Sequence, residues 1–417
     1  MHIKKIKAIK VFDSRAIPTL KTFVYTDNYI TGVSIPSGTS AGKKEAVELR
    51  DKSKAFFGKD VTKAIDNVNK IIGPRLVGEF LLDQTRIDNL MIELDATSNK
   101  SRLGSNAILS ISAAICKAAS KELDVPLYQY IARLNNKKID KKTNFPKPEL
   151  NIINGGEHAG TDLAFQEFQI LPNKNKISQN ISMSAEIYLQ LKEILSKKYG
   201  KSSINVGYEG GFAPNITDPK IALDLMEQAI KKSGYSKDVF LGLDCAANSF
   251  YNEKSKKYFV NNKNYSSSQL MEYYADLLKS YKQLKSIEDP FFEEDKNSWK
   301  EFTKKYSSKM NIIGDDLLVT NPKLIKEGID KKYCNSLLLK PNQIGTITET
   351  IKSFNLARDN GWKVVVSHRS GETEDSFISD LAFGLNSDYI KFGAPARSDR
   401  NSKYNRLLEI EGVYLEE

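Results

Sequence analysis

The sequence is poor in cysteine and histidine and has no long apolar run. Its three cysteines, Cys116, Cys245 and Cys334, are odd in number and far apart, which argues against a disulfide framework and a cysteine-based metal site. No stretch approaches the ~20 consecutive apolar residues that a membrane helix needs. Lysines interrupt every short apolar run in residues 1–13. We therefore expect no signal peptide and a cytosolic location, with a secondary presence at the cell surface left open.

The basic residues do not form the patterns typical of nucleic-acid-binding proteins. The formal net charge is +10, but the lysines and arginines are dispersed, with no long basic tail and no zinc-finger spacing. Residues 36–42, PSGTSAG, form a hydroxyl-rich loop that lacks the Gly-Lys-Ser/Thr ending of a P-loop. We therefore expect neither a required nucleic-acid partner nor a P-loop nucleotide site, and the basic balance suits a small anionic substrate.

The chain is long enough for two domains. Residues 1–135 predict an α+β domain, with two strands around a turn followed by helices that carry apolar residues at helical spacing. Residues 136–148 are rich in Lys, Asn and Pro and predict a linker. Residues 149–417 contain a different, repeating pattern, in which a short apolar run ends in a polar residue and a helical stretch follows.

The repeats predict βα units and place functional side chains at strand ends. The polar ends recur roughly every 25 residues, which is enough for one strand, one helix and two loops. Only the first interval is longer, and it has room for an insertion around residues 251–264. The six ends are Asp244, Glu288, Asp315, Lys340, His368 and Lys391. Such units form either an open sheet or a closed barrel. Convergence of six polar ends on one site favours the barrel, so the predicted fold class is α/β, a TIM-like βα barrel with an α+β N-terminal capping domain.

Asp244, Glu288 and Asp315 predict a metal site. Three crowded carboxylates repel one another unless a cation neutralises them, and oxygen-only ligands suit Mg²⁺. Each acid taken singly could instead be a helix N-cap or a loop carboxylate. Their common position at strand ends favours the metal interpretation.

Lys340 ends an apolar strand, where an ammonium group must be paired or desolvated. It could be a lysine in a structural ion pair. Alternatively it is a general base whose proton affinity is lowered by other cations, among them Lys391. In the nearby motif SHRSGE (residues 367–372), Arg369 can grip a phosphate or carboxylate with two hydrogen bonds, and Ser370 can add a third.

At these residues the chain resembles the enolase family of phosphopyruvate hydratases. The resemblance extends from DSR at Asp13 to KYNRLLEIE near the end of the sequence. It rests on these motifs in this order: PSGTSAG, NKSRLGSNAILSIS, INGGEHAG, FQEF, EGGFAP, LDCAA, SIEDP, GDDLLVTNP, KPNQIG, SHRSGETED and KFGAPARSDR. It implies a barrel that starts with an atypical ββαα unit. It also implies a glycolytic and gluconeogenic lyase that dehydrates 2-phosphoglycerate reversibly to phosphoenolpyruvate with two Mg²⁺ ions.

The resemblance also implies roles for individual residues. Asp244, Glu288 and Asp315 match the ligands of the first metal, and Ser40 matches a ligand of the second. Lys340 matches the base that removes the C2 proton. Glu209 matches the acid that assists departure of the C3 hydroxyl, with Glu167 in the same network. The groups that match the surroundings of the substrate are His158, Gln166, Glu288, Asp315, Arg369, Ser370 and Lys391, with Arg369 and Ser370 on the phosphate side.

Three motifs depart from the family pattern, at four positions. Ala16 and Ile17 replace Gly and Asn in DSRGNPT, which is expected to change the local turn. Tyr208 replaces Asp in VGDEGG, which is expected to alter how Glu209 is held. Ala96 replaces Gly in LDGT, and we expect that turn to need only a negative φ.

Two rival functions stay open. One is an enolase-superfamily racemase or cycloisomerase that acts on an unphosphorylated acid, which the Arg369–Ser370 pair argues against. The other is an enolase-like paralogue with altered or lost activity that serves as a surface or RNA-complex binding protein, which the retained acids and Lys340 argue against. The resemblance also implies a homodimer or an octamer built from dimers.

Overall fold

The computed structural model describes residues 1–38 and 44–414. Its N-terminal part consists of a three-stranded antiparallel sheet in the order β1-β2-β3, packed against helices. The strands are β1 (Lys5–Phe12), β2 (Pro18–Tyr25) and β3 (Ile30–Ser34), and the helices are α1 (Thr62–Asp66), α2 (Gly73–Leu76), α3 (Gln84–Asp95), α4 (Ser105–Glu122) and α5 (Leu127–Leu134). A π-helical turn at Asn67–Ile72 joins α1 to α2.

Helix α4 is the centre of this part. Its alanines and serines are buried along almost the whole helix. Small side chains allow close approach, and α4 contacts both β2 and β3. The strand β1 was not predicted, although its buried Ile6 and Ala8 alternate with exposed lysines at the period of a half-buried strand.

The C-terminal part is a βα barrel. Its strands are β4 (Lys147–Pro148), β5 (Leu150–Asn154), β6 (Glu167–Pro172), β7 (Val239–Asp244), β8 (Tyr251–Asn252), β9 (Lys257–Val260), β10 (Lys263–Tyr265), β11 (Leu284–Glu288), β12 (Asn311–Gly314), β13 (Ser336–Leu339), β14 (Lys363–Ser367) and β15 (Tyr389–Lys391). Its helices are α6 (Ile177–Tyr199), α7 (Pro219–Lys232), α8 (Ser267–Ser280), α9 (Lys296–Tyr306), α10 (Pro322–Lys331), α11 (Pro341–Ile344), α12 (Ile347–Asp359), α13 (Phe377–Gly384) and α14 (Ser398–Glu409).

The barrel sheet closes through residues 147–154. The strand order is β4-β15-β14-β13-β12-β11-β7-β6-β5. Only Glu149 separates β4 from β5 in the chain, so this segment pairs with β15 at its start and with β6 at its end. The pairs β5–β6 and β6–β7 are antiparallel and the other neighbours are parallel. The predicted barrel with a ββαα start is therefore confirmed.

The long interval after β7 contains a separate small sheet. Strands β8, β9 and β10 pair antiparallel and stand outside the barrel order, which confirms the predicted insertion. Among the described helices, none is both long and apolar enough to cross a membrane.

Candidate active site

The predicted strand-end side chains meet at one mouth of the barrel. Asp244, Glu288 and Lys391 are the last residues of β7, β11 and β15, while Asp315 and Lys340 directly follow β12 and β13. Because β6 runs antiparallel, its first residue, Glu167, lies at the same end. One polar cavity there is lined by His158, Gln166, Glu167, Glu209, Asp244, Asp315, Lys340, His368, Arg369, Ser370 and Lys391, among others.

Lys391 joins three buried carboxylates. Its Nζ lies 2.8 Å from Glu288 Oε2, 2.9 Å from Asp244 Oδ2 and 3.2 Å from Glu167 Oε2. Burial opposes the charged form of this lysine, but the surrounding acids outweigh burial and raise its pKa well above the usual value. Lys391 is therefore a fixed positive charge in the floor of the cavity.

Lys340 forms a second ion pair beside the first. Its Nζ lies 2.5 Å from Asp315 Oδ2, and Gln343 Nε2 donates to the other oxygen of Asp315 at 2.8 Å. Burial tends to lower the pKa of Lys340, yet the charge of Asp315 reverses this and the net pKa is raised. The expected lowering of its proton affinity is therefore wrong for this arrangement, although Arg369 and Lys391 do act in that direction.

The carboxylates at the mouth fit a divalent cation. Glu288 Oε1 is buried and accepts no hydrogen bond from the described residues, so this oxygen has capacity for a ligand. The set Asp244, Glu288 and Asp315 offers only hard oxygen donors, the chemistry that Mg²⁺ prefers.

The arrangement of possible metal ligands is only partly the predicted one. Among the described residues, two groups have ligand atoms within 4.8 Å of one another: Asp289 with Asp315 and Asp316, and His158 with Glu167 and Glu209. Of the predicted trio only Asp315 belongs to such a group, while Asp244 and Glu288 both contact the ammonium of Lys391. Ser40 lies outside the described residues.

Glu209 and Glu167 form a coupled pair of buried acids with His158 between them. His158 Nδ1 lies 3.5 Å from Glu209 Oε1 and 3.6 Å from Glu167 Oε1, and His368 Nε2 lies 3.3 Å from Glu209 Oε1. Burial and then the charge of Glu209 raise the pKa of Glu167 well above its usual value. Burial also opposes ionisation of Glu209, but His368 and His158 outweigh it and lower the Glu209 pKa. Of the two acids, Glu167 is therefore the one that is protonated more readily, and Glu209 the one that ionises more readily.

Other contacts fix the groups around this pair. Asn151 Nδ2 donates to Glu209 Oε2 at 3.1 Å, and Gln166 Nε2 donates to Asp244 Oδ2 at 3.4 Å. Burial lowers the pKa of His368 to about 3, although the charge of Glu209 acts in the opposite direction. Asn151 was not among the predicted residues, although it lies on β5 two positions before the motif INGGEHAG.

Arg369 and Ser370 follow β14, where they meet the N-terminal part of the chain. Arg15 NH1 donates to Ser370 Oγ at 3.2 Å, and Arg15 also pairs with Asp13 at 3.1 Å. Arg15 and Arg369 line one further cavity between the two parts of the chain. Two guanidinium groups near a hydroxyl suit an anionic group of a ligand.

The three motif departures have distinct structural settings. The ring of Tyr208 lies over the Arg15 guanidinium, with 5.8 Å from its centroid to Arg15 Cζ, and is partly exposed. No contact of this ring with the Glu209 carboxylate is seen, so an effect on Glu209 stays a prediction. Ala16 has a φ of 60° in the turn next to Ile17. Ala96 has a φ of 55°, so the expectation of a negative φ there is wrong.

Comparison with known proteins agrees with this architecture. Residues 3–131 match the family described as "Enolase, N-terminal domain", and residues 142–416 match "Enolase, C-terminal TIM barrel domain". The chain is 47% identical over 423 residues to "Enolase 1" of Entamoeba histolytica, covering 99% of this chain and 96% of that protein. It is also 47% identical over 425 residues to "Enolase" of Solanum lycopersicum, covering 98% and 95%. These matches span both parts of the chain, and the protein belongs to the enolase family.

Proposed function

We propose that this protein is a glycolytic and gluconeogenic hydro-lyase that interconverts 2-phosphoglycerate with phosphoenolpyruvate and water. The family membership supports the reaction class. The observation that carries the proposal for this chain is that a lysine, a pair of buried acids and a fixed ammonium group line the same polar cavity. Those are the groups that a proton abstraction followed by loss of a hydroxyl requires.

In this proposal Lys340 is the base. Its neutral amine takes the proton from C2, and the electron pair of the C–H bond moves toward the substrate carboxylate. The charge of Asp315 favours the protonated lysine, so Lys340 is available as a base only when that charge is offset. The Lys391 ammonium stabilises the charge that develops on the carboxylate, since a preorganised cation in a buried site needs little reorganisation.

The acid pair completes the elimination. As the C2=C3 double bond forms, the C3–O bond breaks, and the hydroxyl leaves as water after accepting a proton. We assign that transfer to Glu209, which receives the proton from Glu167, the acid of the two whose pKa is raised. His158 lies between the two carboxylates. In the reverse direction the same pair removes a proton from water.

Arg369 and Ser370 bind the phosphoryl group in this proposal. Gln166 and His158 border the substrate, and Lys391 binds its carboxylate end, where Glu288 and Asp315 would act as ligands of a bound cation. Asp244, Glu288 and Asp315 are the proposed ligands of one Mg²⁺, and the resemblance assigns Ser40 to a second. When bound, the cations supply positive charge that stabilises the substrate carboxylate and offsets Asp315.

Wider properties follow as proposals from the family. We assign residues 1–135 to the capping domain, 136–148 to a linker whose last two residues form β4 of the barrel sheet, and 149–417 to the barrel. We place the enzyme in the cytoplasm. A homodimer, alone or assembled into an octamer, suits the exposed aromatic side chains of Phe12, Phe56 and Phe57. Sedimentation of the purified chain measures the assembly directly.

The direct experiment is phosphoenolpyruvate formation from 2-phosphoglycerate, followed by ultraviolet absorbance with Mg²⁺ and again after chelation. We expect turnover that depends on the metal. Well-folded protein without turnover would contradict the proposal and favour the non-catalytic binding protein. Turnover of an unphosphorylated acid instead would favour the racemase or cycloisomerase.

A further inference from the structure

Glu45 lies against the arginine that is proposed to bind phosphate. Its Oε2 accepts from Arg369 NH1 at 3.1 Å, and its Oε1 lies 3.4 Å from Arg369 NH2. Both side chains are buried. A carboxylate that faces both terminal nitrogens fixes the plane of a guanidinium group, whereas a single contact leaves it free to rotate.

The same carboxylate contacts the helix that follows the proposed base. Gln343 Nε2 donates to Glu45 Oε1 at 3.3 Å and to Asp315 Oδ1 at 2.8 Å. The backbone next to Glu45 is held as well, because Ala46 N donates to Gln343 O at 2.9 Å. Asp315 in turn pairs with Lys340. A continuous chain of polar contacts therefore joins the phosphate side of the cavity to the base.

An arginine has five N–H donors, so a guanidinium group whose plane is held can bind a carboxylate and a phosphoryl group at the same time. Truncating Glu45 would leave the buried Arg369 charge with a weaker partner and a less defined orientation.

We propose that Glu45 is a positioning residue that orients Arg369 for the phosphoryl group of the substrate and links it, through Gln343, to Asp315 and Lys340. The inference rests on the proposed function, because it takes Arg369 to be the phosphate-binding arginine. It adds a residue from the N-terminal part of the chain to the machinery of the barrel mouth.

The test is binding of inorganic phosphate to the metal-free protein, measured by titration calorimetry for the parent and for Glu45→Asp. This variant keeps the charge but shortens the reach by one methylene. We expect a loss in phosphate affinity of roughly tenfold or more, the effect of losing one charge-assisted hydrogen bond. Phosphate binding by Glu45→Asp as tight as that of the parent, or tighter, would overturn the proposal.

Glu48→Asp is the matched control. Glu48 lies in the same segment but pairs with Arg50. Its variant should bind phosphate like the parent, and an equal loss in both variants would show only a general disturbance of the segment. Thermal unfolding of each variant reports whether it is folded.

A double variant tests the link to the base. Gln343→Met removes the amide that joins Glu45 to Asp315 and keeps the side-chain length. If the link exists, the loss of turnover in Glu45→Asp combined with Gln343→Met is smaller than the product of the two single losses. Strictly multiplicative losses would exclude it. If the parent itself fails to turn over 2-phosphoglycerate, the proposed function fails, while the phosphate titration still decides the role of Glu45.

Discussion

Ala96 holds the left-handed conformation that ends helix α3, a position where glycine has no steric penalty. Its φ is 55°, and its N–H donates to Ile92 O at 3.0 Å. A Cβ at such a φ costs roughly 1 kcal/mol or more. The alanine therefore stores local strain at the end of the helix.

We expect Ala96→Gly to stabilise the protein by about 0.5–1 kcal/mol, because the relief of strain exceeds the added entropy of the unfolded chain. Urea unfolding measures the change. Ala275→Gly, in the middle of α8, is the control and should destabilise by about 0.5–1 kcal/mol. Equal destabilisation by both changes would show that Ala96 is not strained.

Glu149 is a fully buried acid between β4 and β5. Neither of its carboxylate oxygens has a hydrogen-bond partner among the described residues. Burial raises its pKa from 4.5 to about 7, and the charge of Lys391 only partly offsets this. The native state therefore keeps the Glu149 carboxyl group protonated at pH values at which the same group has ionised in the unfolded chain.

The sign of the pH effect follows from this raised pKa. Between pH 4.5 and about 7 the native state binds more protons at Glu149 than the unfolded state does, so the contribution of Glu149 to stability falls as pH rises. The free energy of unfolding of Glu149→Gln, taken relative to that of the parent, should rise by about 3 kcal/mol between pH 4 and pH 8. Urea titrations in the presence of a chelator measure the difference, with exposed Glu272→Gln as control. A pH-independent difference would contradict the buried, protonated Glu149.

At the scale of the elements, strand β7 leaves room for the acid pair by lacking a side chain at Gly242. A Cβ there would lie 2.7 Å from Gln169 Oε1 and 2.9 Å from Leu171 Cδ1. Gln169 Nε2 donates to Glu167 Oε2 at 3.0 Å, so the glycine determines where Glu167 can be held.

Gly242→Ala should therefore disturb catalysis as well as packing. We expect a loss of about 1–3 kcal/mol in stability from overpacking and a fall in turnover, because Gln169 is pushed off Glu167. Gly412→Ala, where a Cβ would meet no atom within 4 Å, is the control and should change neither. Full turnover by a folded Gly242→Ala protein would show that the Gln169–Glu167 contact is dispensable.

The strands and helices that could be predicted from the sequence are those with a local pattern of apolar and polar residues. Apolar runs that end in Asp, Glu, Lys or His predicted the strand ends of the barrel, because parallel strands bring their ends together whatever the intervening helices are. The closing of the barrel at β4 and β5 was not predictable, since Glu149 interrupts the apolar run. Strand β1 was missed because its lysines obscure the alternation of Ile6 and Ala8.

At the scale of the whole molecule, the site depends on contacts between distant parts of the chain. Glu45 and Arg369 are 324 positions apart, and no motif or periodicity relates them. The family resemblance identified the side chains of the barrel mouth, whereas the ion pairs that set their proton affinities needed the structure. Lys340 is the clearest case, because Asp315 raises the pKa that the sequence predicts to be lowered.

Substitution of Lys340 tests the proposed chemistry of the barrel mouth most directly. In D₂O with Mg²⁺, the parent should exchange the C2 proton of 2-phosphoglycerate for deuterium, as read by mass spectrometry. Lys340→Ala should lose this exchange by roughly 10²–10⁴-fold, the usual contribution of a general base, while still binding the substrate. Lys352→Ala, an exposed lysine on α12, should exchange like the parent. Exchange that persists at the parent rate in Lys340→Ala would contradict the assignment of the base and, with it, the proposed chemistry of the barrel mouth.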